Sequence, residues 1–281
     1  MGIDLRSTTA AIPLARDVVH VEGPEAVEFL QGQLSQDITG LGVGTSGPTL
    51  LLQPTGKVVA WLRATRLADD VVGLDVDAGQ GEAVRARLAR FKLRTKADLE
   101  LTTRHGWAVR GPFVGERPPG GLAIAWSGID GYDLLGDDEA AIDGLPVGEP
   151  KDLEALRIEC GVPVSGTDLT EDTIPAEAGQ WLIDASVSFT TGCYTGQELV
   201  ARIDSRGGNV PRPLRGIVAE ADLTMGAVVS LDGAAVGFVT SAARSEALGP
   251  IGLGPVGRSV EVGALVDVGG VAGRVHALPM R

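Results

Sequence analysis

Residues 190–202 read TTGCYTGQELVAR, the most informative stretch of the chain. Thr195 and Glu198 have the T-x-x-E spacing of a helix capping box, and an apolar run begins at Leu199. The sequence therefore predicts a helix that begins at Thr195, with Cys193 in a glycine-flanked turn just before it. Because helix N-termini favour anions, a thiol in such a turn is expected to be a good nucleophile.

Spacing alone also allows Cys193 to be a small buried residue in a tight turn. The chain has two cysteines, Cys160 and Cys193, and its three histidines lie far from both in sequence. A catalytic Cys–His pair therefore has weak support, and no ligand spacing typical of a zinc site is present. Two thiols in 281 residues do not form a disulfide framework and fit a reducing compartment.

Bulk composition argues against several classes of protein. The chain carries a formal net charge of −13, and an acidic protein repels nucleic-acid phosphates at long range. Residues 1–19 lack the apolar core of a signal peptide, and no apolar run approaches the ~18 residues that a membrane span needs. We therefore expect a cytoplasmic protein that binds neither nucleic acid nor a membrane.

Helix-like and strand-like segments alternate irregularly, which favours an α+β fold with antiparallel sheets. A helix is predicted from Pro24 to just before Gly40, because Val27, Leu30, Leu34 and Ile38 share one face. Further predicted elements are helices at 81–91 and 151–160, a hairpin formed by 49–53 and 57–66, a linker at 205–213 and a small β-barrel at 214–281.

Residues 91–96 (FKLRTK) alternate in the manner of a strand. Lys92, Arg94 and Lys96 would then share one face. Such a stripe has two interpretations: it attracts an anionic ligand tail, or it is a charged edge strand that discourages sheet-to-sheet pairing.

The heptapeptide GCYTGQE (192–198) resembles the signature of the YgfZ family, whose usual form is K-G-C-Y-x-G-Q-E. Similarity to this family continues in the expected order over most of the chain. It includes GPEAVEFLQGQLSQDI (23–38), QPTGKVVAWLR (53–63), FKLRTKADL (91–99), GYDLL (131–135), LRIECGVP (156–163), IPAEAG (174–179) and VGFVTSAA (236–243). The family is related to the T-protein of glycine cleavage.

This resemblance implies a three-lobed, T-protein-like α+β fold with antiparallel sheets and a small C-terminal β-barrel. The expected units are a discontinuous folate-binding core of residues 1–48 and 105–204, an inserted α+β lobe of 49–104, and a barrel domain of 212–281. The resemblance also implies tetrahydrofolate bound in a central funnel. The implied role is the assembly or repair of iron–sulfur clusters, with iron–sulfur enzymes or assembly proteins as partners.

The resemblance also suggests roles for individual residues. Cys193 matches the family's functional cysteine, which would ligate a cluster with a partner, react with a folate-borne one-carbon unit, or form mixed disulfides. Glu159 matches a T-protein glutamate that holds the pterin, and a carboxylate can accept two N–H groups of a pterin edge. Alternatively, Glu159 pairs with Arg157 or Arg202 on the surface. The remaining candidate folate contacts are Trp61, Trp181, Gly192, Tyr194, Gly196, Gln197, Glu198 and Arg202. The three aromatic residues among these candidates fit core packing equally well.

The chain departs from the relatives' patterns at several positions. Thr191 replaces the usual lysine before Gly192, which removes one cation beside the thiol, and Ala176 replaces the glutamine of I-P-Q-E. The T-protein's G-G-x-x-D-D stretch corresponds to residues 56–61 (GKVVAW), so Ala60 and Trp61 occupy its acidic positions. Neither side chain can act as a general base, and we expect folate binding without aminomethyl transfer. The alternatives are a tetrahydrofolate-dependent one-carbon transferase and a partner-docking module that does not bind folate.

Overall fold

The computed structural model describes residues 2–136, 139–190, 192–205 and 207–280. Over these ranges the strands form two seven-stranded antiparallel sheets, accompanied by five α-helices and two short 3₁₀ turns. This architecture confirms the α+β class that the sequence predicts.

The first sheet comes from the N-terminal half of the chain. Its strands are β1 (Ala10–Glu22), β2 (Ser46–Leu52), β3 (Val58–Ala68), β4 (Val71–Asp77), β5 (Asp98–Gly111), β6 (Leu122–Ala123) and β7 (Asp130–Leu135). They lie in the order β2-β3-β4-β1-β5-β7-β6. The β2–β3 pair confirms the predicted hairpin. The sheet is continuous across residues 48–49, and β5 runs through 104–105, so the proposed division of domains does not coincide with its edges.

Strand alternation gives the first sheet one apolar face and one charged face. Helices α1 (Ala26–Gln31) and α2 (Gly81–Lys92) contribute to the core on the apolar face. That core contains Val19 and Val21 of β1 together with strand residues such as Ala60, Leu62 and Leu74. Trp61 and Arg63, which flank Leu62 in sequence, point the opposite way and line the site described below.

Three further helices and a second sheet follow in the C-terminal half of the chain. Helices α3 (Pro150–Cys160), α4 (Gln180–Ser186) and α5 (Gln197–Asp204) follow the first sheet. The second sheet consists of β8 (Leu214–Ala219), β9 (Val228–Leu231), β10 (Ala234–Phe238), β11 (Ser241–Ser245), β12 (Gly249–Pro255), β13 (Leu265–Val268) and β14 (Val271–His276). Its order is β10-β9-β13-β14-β8-β12-β11. An isolated bridge joins Gly237 of β10 to Val256, just after β12, so the sheet curls back on itself. The predicted C-terminal barrel is a curled half-barrel.

Helix α3 has well-defined ends and lies between the two sheets. Pro150 opens it, with a capping box formed by Glu149 and Asp152, and Gly161 ends it in the left-handed conformation at φ 71. The helix contacts β1 of the first sheet and β11 and β12 of the second. It therefore fixes one wall of any cavity beside β1.

The predicted helix from Pro24 to Gly40 is wrong in its second half. Helix α1 ends at Gln31, whose side-chain oxygen accepts hydrogen bonds from the backbone N–H groups of Ile38 (2.7 Å) and Thr39 (2.9 Å). Leu34 and Ile38 are still buried, as their spacing predicted. Side-chain hydrogen bonds to the backbone hold this segment in an irregular path instead of a helix.

The predicted strand at 91–96 is also wrong. Helix α2 continues to Lys92, and Leu93 ends it with φ 44. Phe91 remains in the helix, where the guanidinium of Arg87 lies 3.7 Å from its ring centre. The alternation in FKLRTK therefore reflects a helix end and a loop, and Lys92, Arg94 and Lys96 do not share a strand face.

Candidate functional site

A cavity of about 290 Å³ lies on the charged face of the first sheet. Trp61 of β3 and Trp126 give it aromatic walls, while Leu153 and Arg157 contribute from α3. Small-molecule sites have volumes of about 300 Å³ and more, so the cavity is at the lower end of their range. It has room for a flat ring system, with any longer substituent outside.

Three arginines and three aspartates form an ionic network beside this cavity. Arg63 donates two hydrogen bonds to Asp75 (2.8 and 3.0 Å) and one to Asp133 (3.0 Å). Arg110 donates to the other oxygen of Asp133 (2.6 Å). Arg16 pairs with Asp75 (3.1 Å), and also with Asp77. The network is balanced in charge, which suits the burial of its members.

Two opposing effects set the pKa of Asp133, the shared carboxylate of this network. Burial alone would raise the pKa of Asp133, but the charges of Arg110 and Arg63 outweigh it and hold the pKa below its ordinary value. Arg110 is 2% exposed, and its guanidinium stacks 4.6 Å from the ring centre of Trp126. Asp133 therefore stays ionised in the cavity wall at neutral pH.

This network was not predicted from the sequence, although a signal for it was present. Arg63 interrupts the strand run KVVAWLRATR, Asp75 interrupts VVGLDV, and Asp133 lies inside GYDLL. Burying a charged side chain costs free energy unless it is paired, and these charges lie within otherwise apolar strands. Such residues are therefore candidates for mutual contact.

Trp61 lies at the junction of the cavity and the neighbouring core. Its indole N–H donates to the hydroxyl of Ser186 (2.9 Å), and its backbone N–H donates to that of Ser165 (3.1 Å). The ring meets Trp181 edge to face, with 5.7 Å between ring centres. Ala60, the neighbouring position of the T-protein's acidic pair, points into the core on the opposite face of the sheet.

Cys193 is an exposed free thiol on the loop before α5. This loop rests on two neighbouring segments. The backbone N–H of Thr195 donates to the carbonyl of Gly32 (3.1 Å), just after α1. A Cβ at Gly196 would come within 2.6 Å of the carbonyl oxygen of Gln53, so only glycine allows this close approach. Because Cys193 is exposed, its interpretation as a small buried residue is excluded.

The predicted capping box of α5 is wrong. The helix begins at Gln197, and its N-cap is Gly196, which adopts φ 88 and provides no side-chain cap. Thr195 instead turns its hydroxyl to the carbonyl of Gly32, while the side-chain oxygen of Gln197 accepts from the backbone N–H of Tyr194 (3.3 Å). A left-handed glycine at the cap displaces the extended residue that a capping box needs. Thr191 lies outside the described residues.

Glu159 is buried on α3 and pairs with Arg6, whose Nε lies 2.5 Å from its carboxylate. The suggested pairing with Arg157 or Arg202 is not formed, because Arg157 contacts Glu154 (2.5 Å) and Asp168 (2.9 Å) instead.

Glu159 and residues 2–5 help to line a separate groove of about 400 Å³. Next to it, burial raises the pKa of the Cys160 thiol to about 11. Glu159 does not line the 290 Å³ cavity beside Trp61 and Trp126, called the tryptophan cavity below.

The structure brings some of the candidate folate contacts together and separates others. Trp61 lines the cavity, and Trp181 and Tyr194 pack with it in one apolar cluster behind the cavity wall. Burial raises the pKa of Tyr194 to about 12. The other candidates lie outside the cavity lining, within the ranges that the structure describes: Glu159, Trp181, Gly192, Cys193, Tyr194, Gly196, Gln197, Glu198 and Arg202.

Two general properties of the described residues bear on the site. Among the residues that the structure describes, no group of three or more histidine, cysteine or acidic side chains is arranged to hold a metal ion. None of the described helices has both the length and the apolar character that crossing a bilayer requires.

Comparison of the whole chain with known structures finds solved chains of similar architecture. The crystal structure of the glycine cleavage system aminomethyltransferase T from Bartonella henselae superposes with a TM-score of 0.79. The match covers 98% of this chain and 87% of that chain at 23% sequence identity. The fold is that of the T-protein. This confirms the T-protein-like fold that the sequence resemblance predicted, and at this identity the likeness shows the fold alone.

Sequence comparison finds relatives with a named role. A mitochondrial iron–sulfur cluster assembly factor IBA57 homolog of Pyricularia oryzae is 30% identical over 212 residues, covering 69% of this chain and 53% of the relative. The mouse mitochondrial IBA57 is 27% identical over 250 residues, covering 77% and 69%. An uncharacterized Haemophilus influenzae protein is 28% identical over 199 residues, covering 68% and 67%.

The chain thus spans about half the length of the fungal relative and about two thirds of the other two. No family model matches it.

Proposed function

We propose that this chain is a tetrahydrofolate-binding accessory protein for the assembly or repair of iron–sulfur cluster enzymes, with Cys193 as its functional thiol. The observation that carries the proposal is an exposed thiol in a chain similar to IBA57 assembly factors. Iron–sulfur clusters are held by several thiolates, so one cysteine needs further ligands from a partner. Iron–sulfur enzymes or assembly proteins are the proposed partners.

The tryptophan cavity suits the pteridine ring of tetrahydrofolate. A flat ring can stack on Trp61, and its polar edge can face the charged strand residues. Arg16 is the most accessible arginine of the ionic network, with 18% of its side chain exposed, and a guanidinium has five N–H donors. Arg16 is therefore the proposed donor to the carbonyl and ring-nitrogen acceptors of the pterin.

The proposed pterin contact of Glu159 is less well supported by its surroundings. Its carboxylate already has a cationic partner, Arg6, and it lines the other groove. Equilibrium titration with tetrahydrofolate separates the two placements. If the ring stacks in the tryptophan cavity, Trp61→Ala weakens binding at least about tenfold, whereas Glu159→Gln leaves it unchanged. The reverse result assigns the pterin to Glu159.

Enzymatic one-carbon transfer is the main alternative. It is weakened by Trp61, which replaces a carboxylate and whose backbone and indole N–H groups both donate to serine hydroxyls. Assays of aminomethyl and methyl transfer from tetrahydrofolate adducts test it, and robust turnover would establish the transferase. The second alternative, a docking module without folate, is favoured if no saturable folate binding occurs at millimolar ligand.

The decisive experiment for the thiol is genetic. Cys193→Ser is expected to lower the activities of iron–sulfur enzymes in cells that depend on this protein, while folate binding in vitro is retained. Ser205→Ala, an exposed change at the far end of α5, serves as the matched control. Full activity with Cys193→Ser would remove the thiol from the proposal. Residence in the cytoplasm stays a prediction, since the fungal and mouse relatives are named as mitochondrial proteins.

A further inference from the structure

Leu93 is the most exposed of the large apolar side chains that the structure describes, at 90%. It ends α2 with φ 44 and ψ −106, a backbone conformation that residues other than glycine rarely adopt. Apart from Leu93, Asp232 is the one described non-glycine residue with positive φ. Packing does not account for a strained leucine that is held in solvent, so a role outside the folded chain is the natural explanation.

The chain around Leu93 is strongly basic in an acidic protein. Residues 85–96 (RARLARFKLRTK) contain six arginines and lysines and no acidic residue, whereas the whole chain carries −13. Arg90, Arg94 and Lys96 are exposed and form no ion pair with any residue that the structure describes. Leu93 is therefore an apolar centre with a cationic rim, which is the anatomy of a protein-docking surface.

This basic surface and the Cys193 loop are supported by the same two segments. Arg87, one turn before the surface, donates to the side chain of Gln33 (3.3 Å) and to the carbonyl of Leu52 (2.9 Å). The thiol loop contacts the adjacent carbonyls of Gly32 and Gln53. A partner that covers the end of α2 is thereby brought close to the exposed thiol.

We propose that the surface formed by Leu93, Arg90, Arg94 and Lys96 docks an acidic protein and orients it toward Cys193. Charge complementarity selects this occupant: the protein as a whole repels acidic partners, and the basic surface is where that repulsion is reversed. Leu93 fits an apolar socket in the partner and anchors the contact. The inference deepens the proposed function by giving the chemistry of the partner that meets the thiol.

Thiol–disulfide exchange at Cys193 tests the charge preference directly. The probes are three cysteine peptides of equal length, with glutamate, serine or lysine flanks, each joined by a disulfide to thionitrobenzoate. The Cys193 thiolate attacks the peptide sulfur, forms a protein–peptide disulfide and releases the coloured thionitrobenzoate anion. Rates are divided by those with neutral 4,4′-dithiodipyridine, and Cys193→Ser provides the background of Cys160.

At low salt the glutamate peptide is expected to react about tenfold faster than the lysine peptide, and the difference should vanish near ~1 M salt. The triple variant R90E/R94E/K96E should invert this order. R117E/R258E/R274E makes the same change of charge elsewhere on exposed parts of the chain and should preserve it. Adding leucines to the glutamate peptide should accelerate the wild type but not Leu93→Asn.

Three results would overturn the proposal: faster reaction of the lysine peptide at low salt, an unchanged order in R90E/R94E/K96E, or no exchange with any probe. Its failure is distinguishable from that of the proposed function. If Cys193→Ser leaves iron–sulfur enzymes active in cells, the thiol's biological role is lost, but the charge preference of exchange is unaffected. If the charge preference is absent while Cys193→Ser lowers iron–sulfur enzyme activities in cells, the role of the thiol is retained and the proposed docking surface is refuted.

Discussion

Replacing Leu93 by glycine is expected to make the protein more stable. A non-glycine residue at φ 44 and ψ −106 carries about 1–3 kcal/mol of backbone strain, which glycine avoids. The leucine side chain is 90% exposed, so its loss forfeits about 0.3 kcal/mol of hydrophobic stabilisation. The added flexibility of glycine in the unfolded chain costs about 0.5–1 kcal/mol. The net gain is therefore about 1 kcal/mol.

Urea unfolding measures this gain, and Leu93→Ala is the matched control. Alanine loses the same exposed side chain but keeps the Cβ that clashes in this conformation. Glycine is less stable than alanine at ordinary helical positions, by about 1 kcal/mol. At Leu93 the order should be reversed by a similar amount, with the glycine variant melting about 2 °C above the wild type. An alanine variant more stable than the glycine variant would refute the claim of strain.

This result would bear on the docking surface as well. A substitution that stabilises the fold and weakens docking is the pattern expected when a residue is retained for a partner at the expense of stability. If Leu93 were an ordinary structural residue, its removal would lower stability and leave peptide exchange unchanged. The two measurements on one variant therefore separate these roles.

Three further predictions concern buried groups. Arg63→Ala leaves two buried carboxylates short of a partner and should cost about 3–5 kcal/mol in urea unfolding, whereas exposed Arg117→Ala should cost under about 0.5 kcal/mol. The arginine partners of Asp133 lower its pKa in the folded protein. The contribution of Asp133 to the free energy of unfolding is therefore complete above the unfolded pKa of about 3.9, and it is lost as pH falls through the folded pKa. Asp133→Asn should therefore flatten the acid limb of an unfolding free-energy profile, and an unchanged limb would contradict this. Iodoacetamide at about pH 8 should label exposed Cys193 and spare buried Cys160, because burial raises the pKa of the Cys160 thiol to about 11. Denaturant should make Cys160 reactive as well. Equal labelling of both cysteines in the folded protein would show that Cys160 is accessible.

Local patterns in the sequence predicted the elements whose contacts are local. The β2–β3 hairpin and helices α2 and α3 follow from alternation, helical spacing and turn residues within short windows. Leu34 and Ile38 were correctly expected in the core, although the helix that was to place them ends at Gln31. Burial of an apolar residue is thus more predictable than the backbone path that achieves it.

Contacts between distant parts of the chain could not be predicted in this way. Glu159 pairs with Arg6, which lies 153 residues away, and not with the nearby arginine Arg157. The start of α5 depends on contact of Gly196 with Gln53, which overrides the local capping signal. Both outcomes are decided by tertiary packing, which leaves no local signature in the sequence.

The separation of cavity and thiol narrows the chemistry that Cys193 can perform. The residues lining the cavity come from the first sheet, α3 and their connections, while the described part of the thiol loop contacts α1 and the β2–β3 turn instead. A pterin stacked on Trp61 would thus lie behind the cluster that contains Tyr194, and Cys193 faces solvent. Cys193 does not line the cavity, so the structure does not place this thiol beside a carbon carried by such a pterin. Cluster ligation with a partner and mixed-disulfide formation require no such placement, because both take place on the outer surface where the thiol already lies. The exposed position of the thiol therefore favours these two roles over direct attack on a folate.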